Sequence, residues 1–152
     1  MNILGVRAAP KVASFIVYDT ESSKVHCSDL IRIPETMDIP EKLKYVRNNI
    51  LDILRFYNVE VAAIRVAESN SRNLNIDRLY IEAVIQEAFS SSEVKKYITI
   101  RQNGIKSSLK LSQDDYNSFL KSKKTIKDID NSDFNSETNE ALLSALAAGA
   151  RL

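Results

Sequence analysis

Residues 59–67 read Val59-Glu60-Val61-Ala62-Ala63-Ile64-Arg65-Val66-Ala67, nine residues with only two charges. A strand covered on one face alternates apolar and polar side chains, whereas a parallel strand covered on both faces is nearly all apolar. The stretch therefore predicts a central parallel strand, and the chain on either side must supply helices for both faces. Before it, residues 40–57 place Leu43, Val46, Ile50, Ile53, Leu54 and Tyr57 at helical spacing, with Pro40 and Glu41 suited to a first turn. The other face of that helix carries Lys42, Lys44, Arg47 and Arg55, which reads as a solvated surface rather than a DNA patch. After the strand, the polar run 68–75 is a loop. A second helix over about 76–89 has Ile76, Leu79, Tyr80, Ala83, Val84 and Ala88 as its expected apolar side.

Further out, residues 2–9, 11–19 and about 24–33 are β-branched, aromatic and apolar, separated by Ala9-Pro10 and by the polar turn 19–24. They predict an antiparallel meander. A fifth strand is expected at about 96–101. Residues 102–111 fit either a strand extension or a loop around Asn103-Gly104, and Ser112 with Asp114 and Asp115 predicts a helix over 113–121. Residues 121–138 read as a polar, mobile segment, and Glu137–Ala148 as an alanine- and leucine-rich helix whose Leu142, Leu143 and Leu146 face the core. The whole of 1–152 is expected to form a single α/β domain, a mixed sheet flanked by helices.

Composition removes several function classes. Lys and Arg total 21 against 20 Asp and Glu, so bulk positive charge does not hold this protein on nucleic acid. One cysteine and one histidine exclude an internal disulfide and a Cys/His zinc cluster. Three glycines form no phosphate-binding loop of either glycine-rich type. Cys27 beside His26 reads as an ordinary strand pair. No targeting segment and no run of 18 apolar residues is present, so a cytoplasmic protein without a membrane span is expected.

The element order and four short stretches together resemble the RuvC-type Holliday-junction resolvases, a branch of the ribonuclease H-like superfamily. Ile3-Leu4-Gly5-Val6-Arg7 is similar to the family's G-I-D-P-G strand. Ile39-Pro40-Glu41-Lys42-Leu43-Lys44 resembles its L-P-E-R-L-K helix start, Ala63-Ile64-Arg65 its A-I-E, and Glu137-Thr138-Asn139-Glu140-Ala141-Leu142 its D-A-A-D-A-L. The resemblance spans nearly the whole chain. It implies a ribonuclease H-like fold, a three-stranded antiparallel meander plus two parallel strands.

The resemblance also implies where an active site would lie. The family's carboxylates hold two divalent ions that activate water and stabilise the leaving oxygen of a phosphodiester. Here Arg7 stands for the first-strand Asp and Arg65 for the fourth-strand Glu, while Glu137 and Glu140 keep the acidic positions of the last helix. A guanidinium stays charged and repels Mg²⁺. The expected reading is thus a degenerate site that requires no cofactor and has no catalytic residues. Arg7 and Arg65 either pair with Glu137 and Glu140 or keep a free face for an anion such as a phosphate.

A shifted register would instead bring Glu68 together with Glu137 and Glu140 in a Mg²⁺-dependent nuclease, although residues 1–18 contain no acid at all. Lys95, Lys96, Arg101 and Lys106 are candidate nucleic-acid contacts around the fifth strand. The leading functional expectation is a catalytically inactive domain acting by binding, as an accessory subunit of a nucleic-acid-processing or defence-type assembly. A protein partner, nucleic acid and a homodimer are its candidate partners. Alternatives are the shifted-site nuclease and a purely protein-binding, inhibitor or immunity-type module.

Overall fold

The computed structural model describes residues 1–152. Its strands are β1 (Asn2–Ala8), β2 (Val12–Asp19), β3 (Lys24–Arg32), β4 (Val59–Arg65) and β5 (Lys96–Ile100). The helices are α1 (Ile39–Phe56), α2 (Ile76–Ser90), α3 (Gln102–Leu109), α4 (Gln113–Leu120) and α5 (Ser136–Ala150). The strands form one sheet in the order β3-β2-β1-β4-β5, antiparallel through the first three and parallel from β1 to β4 to β5. This is the mixed sheet that the sequence predicts. No helix is long and apolar enough to cross a membrane.

The strand period of two divides the core. Leu4, Val6, Ala62 and Ile64 face α1 and α2, while Ile3, Val61 and Ala63 face α5 with α3 and α4 behind it. The start of α1 is set by a capping box between Asp38 and Glu41, with Pro40 in the first turn. On the other face, the backbone of α5 lies almost on β1. A Cβ on Gly5 would stand 2.0 Å from the Ala141 carbonyl oxygen and 2.9 Å from the Ala145 amide nitrogen. Only a glycine in the strand opposite small residues of the helix permits that approach.

Three expectations are corrected. Residues 102–109 are neither strand nor loop but helix α3, which ends at Lys110 in the left-handed region, φ 55°. Asn103, Gly104 and two serines are weak helix formers, so burial of Ile105 and packing of Leu109 against the α5 face supply the stability that propensity does not. On α2 the buried residues are Ile81, Glu82, Ile85, Ala88 and Phe89, whereas Ile76, Leu79 and Tyr80 are exposed. The helix carries apolar residues on both sides, so periodicity cannot say which side meets the sheet.

The polar segment expected over 121–138 ends at Asn135, where α5 is capped. It is anchored rather than merely solvated. Ile129 and Asn131 are buried, and Asn131 donates to Asn139 Oδ1 at 3.0 Å. Asn139, itself fully buried, donates to the Leu120 carbonyl at 3.1 Å and to Ser122 Oγ at 2.9 Å.

Candidate functional site

Arg7 and Arg65 are Cα partners at the C-terminal ends of β1 and β4. The strand period puts both on the α5 face, below the first turns of that helix. There Glu140 Oε2 lies 3.2 Å from Arg7 Nε and 3.3 Å from Arg65 Nε. Glu137 stands 3.9 Å from Arg7 Nη1. Arg65 Nη1 also donates to Glu68 Oε2 at 2.8 Å and to the Val66 carbonyl. Arg65 is only 7% exposed. Burial works against its charge, yet the carboxylates of Glu140 and Glu68 outweigh it and hold the guanidinium above its ordinary range.

Glu68 does two jobs. Besides pairing with Arg65 it accepts the Gln102 backbone N–H at 3.3 Å, at the start of α3, where the capping residue Arg101 supplies no side-chain cap. Arg101 Nε turns back to the Ala67 carbonyl at 2.8 Å. From α2 comes a second buried carboxylate, Glu82, 4% exposed, which accepts the Ala67 N–H at 2.9 Å and Arg78 Nε at 2.8 Å. Burial, followed by the like charge of Arg7, pushes the Arg78 guanidinium below its ordinary range. From α4, the buried Tyr116 hydroxyl has no hydrogen-bond partner. Burial and then Glu140 push its ionisation up, against Arg65.

Arg7, Arg65, Glu68, Arg78 and Glu140 line a cleft of about 390 Å³ whose outer wall is the 70–75 loop. Its chemistry is that of an interlocked ion network. A divalent ion needs several carboxylate oxygens free of other cations. The carboxylates here are shared among guanidiniums, and no three His, Cys, Asp or Glu side chains converge to hold a metal. The residues present do not fit Mg²⁺.

The candidate contacts around β5 do not form one patch. Lys95 pairs with Glu60 at 2.9 Å, and Lys96 opens β5 opposite Val61. That end of the sheet is roughly 17 Å from the Arg101 end, at 3.3 Å per residue. Lys106 sits on α3, bonded to Gln113 Oε1 at 2.8 Å. Of the four, only Arg101 borders the cleft, through its bond to Ala67.

No family model matches this sequence, and no well-characterised relative is found by sequence. Structural comparison does find neighbours. Thermus thermophilus RuvC aligns over 99% of this chain and 94% of its own, with a TM-score of 0.73 and 13% identity. The same bacterium's RuvC in complex with a Holliday junction substrate gives a TM-score of 0.72 at 14% identity, covering 99% and 93%. A yeast mitochondrial Holliday junction resolvase gives 0.58 at 14% identity, covering 97% of this chain and 77% of its own. The chain has the resolvase fold.

Within that fold, Arg7, Arg65, Glu137 and Glu140 gather at neighbouring strand ends and the last helix. Glu68 joins them through Arg65. Sequence reasoning missed Arg78, Glu82 and Tyr116. The four-residue spacing of Arg78 and Glu82 on one helix was the available signal for one pair. Nothing in the sequence marks Tyr116.

Proposed function

We propose that this chain is a catalytically inactive domain of resolvase fold that acts by binding nucleic acid, as an accessory subunit of a nucleic-acid-processing or defence-type assembly. The observation that carries the reading is the pair of guanidiniums, Arg7 and Arg65, on the single carboxylate of Glu140. It replaces a cation-binding carboxylate cluster with a self-neutralising one, while the cleft and its arginines persist. Arginine suits phosphate, and the neighbour solved with a Holliday junction gives a precedent for nucleic acid on this fold. An inactive domain exerts its effect through another component, hence the accessory role. The pairing of both Glu68 and Glu140 with Arg65 argues against a shifted nuclease site built on those acids.

The test is a cleavage assay with Mg²⁺ or Mn²⁺ on four-way, duplex and single-stranded DNA. No product is expected. Metal-dependent cleavage that disappears in Glu140→Gln would overturn the inactive reading. Absence of DNA and RNA binding at low salt would favour a purely protein-binding module.

A further inference from the structure

We propose that the cleft takes a backbone phosphate of a nucleic-acid strand between Arg7 and Arg78, and that Glu82 is the positioning residue that holds Arg78 there. This rests on the binding reading above and names its ligand and its residues. Arg78 is fastened by its Nε alone, to a carboxylate that is itself buried and tied to the Ala67 N–H. Its terminal amino groups make no bond within the chain. Arg7 spends Nε on Glu140 and Nη1 on the Ala8 carbonyl, leaving Nη2 without an acceptor.

Both side chains line the same cleft, where Arg7, Arg65 and Arg78 stand among the carboxylates of Glu68 and Glu140, of Glu82 behind Arg78 and of Glu137 at 3.9 Å from Arg7. What selects an anion over a cation is the set of N–H donors left over from these pairings, on Arg7 Nη2 and the terminal nitrogens of Arg78. The like charges of Arg7 and Arg78 repel each other across the cleft, in keeping with the depressed Arg78, and an anion between them relieves that repulsion. The facing wall offers Asn70, Ser71, Asn73 and Asn75, neutral groups suited to phosphate and sugar oxygens. No aromatic ring lines the cleft, so there is no platform on which a base could stack. The contact is therefore to the backbone and indifferent to sequence.

The experiment is fluorescence anisotropy with a labelled oligonucleotide of mixed sequence, single-stranded and duplex, over a range of KCl. Removing both members of the buried pair, in Arg78→Leu/Glu82→Leu, avoids leaving a lone buried charge, and thermal melts confirm that it folds. It should weaken binding about tenfold and lower the slope of log K against log salt by roughly 0.7 to 0.9, the loss of one phosphate contact. Arg78→Lys should restore the slope but not the full affinity. Glu82→Gln should weaken binding at unchanged slope; tighter binding would overturn its positioning role. Lys44→Ala, on the exposed side of α1 across the sheet from α5, should change nothing.

An unchanged slope in the double variant, with binding intact, overturns this inference and leaves the binding reading standing. No binding by the wild type at low salt overturns both. Displacement of the oligonucleotide by micromolar inorganic phosphate or a nucleoside monophosphate overturns the assignment to a strand.

Discussion

Arg7 and Arg65 lie side by side in the parallel β1–β4 ladder, and the Nε of each comes within 3.3 Å of the same oxygen of Glu140. Two cations on neighbouring strands would repel strongly in a site where Arg65 is buried. The α5 carboxylate makes their adjacency tolerable, so the helix and the two strand ends are held by one shared charge. Around that shared charge, Arg7 Nη2 and the terminal nitrogens of Arg78 keep N–H donors with no acceptor in the chain.

Glu140→Ala leaves Arg65 with Glu68 alone and Arg7 with the distant Glu137. Loss of one partner from a buried ion network costs about 3 kcal/mol. Urea denaturation should show that loss, with Glu140→Gln losing less because the amide oxygen still accepts. Equal stability of wild type and Glu140→Ala would mean that the carboxylate does not hold the two arginines together.

Gly5→Ala places a methyl group against the Ala141 carbonyl and the Ala145 amide, both backbone atoms that cannot turn aside. Separation of α5 from β1 should cost at least about 3 kcal/mol, beyond the common range for overpacking. A thermal melt is sufficient, and a native-like midpoint would contradict the close packing of α5 on β1.

Tyr116→Phe removes a buried hydroxyl that has no partner. Such a group costs free energy to bury, so the variant should gain about 1 kcal/mol. Because burial raises the folded pKa of the phenol above its unfolded value near 10, wild-type stability falls as pH rises past 10. The phenylalanine variant should lack that contribution. A destabilised variant would reveal a hydrogen bond to the hydroxyl.

Asp19 accepts the Ser22 hydroxyl at 2.7 Å, the backbone N–H groups of Ser22 and Glu21, and the N-terminal ammonium at 3.2 Å. These bonds, the Ser22 hydroxyl foremost, hold its carboxyl well below the usual carboxylate range. A depressed folded pKa stabilises above the unfolded value near 3.9 and loses that stabilisation as pH falls through the folded one. The melting temperature of Asp19→Asn should lie below that of wild type at pH 6, with the gap closing between about pH 5 and pH 2. A gap independent of pH would show that the charge of Asp19 is not its cause.

The course of the sheet was legible because alternation and apolar runs report local geometry. The apolar run over 59–67 predicts a central strand, and Val59–Arg65 is one. The position of the site was legible only through a resemblance, which put Arg7 on the first strand and Arg65 on the fourth, and the β1–β4 ladder makes them direct neighbours. Helix α3 was not legible, since Gly104 and its neighbours argue against a helix that only α5 makes stable. The buried side of α2 was not legible either. Ile76 and Leu79 are as apolar as Ile81 and Ile85, and the side that meets the sheet is the one where Glu82 finds the Ala67 N–H.

By itself, then, the sequence determined a mixed sheet and helices for both faces, because each follows from residue type and local spacing, and its resemblance to a family implied that Arg7 and Arg65 stand where that family has acids. Only the tertiary structure decided what those arginines do. A charge acquires its role from partners brought from distant segments: Glu140 from the last helix, Glu68 from the loop after β4, and the Glu82–Arg78 pair from α2. The overall balance of 21 bases and 20 acids has a counterpart inside the cleft, where folding leaves Arg7 and Arg78 with unspent donors.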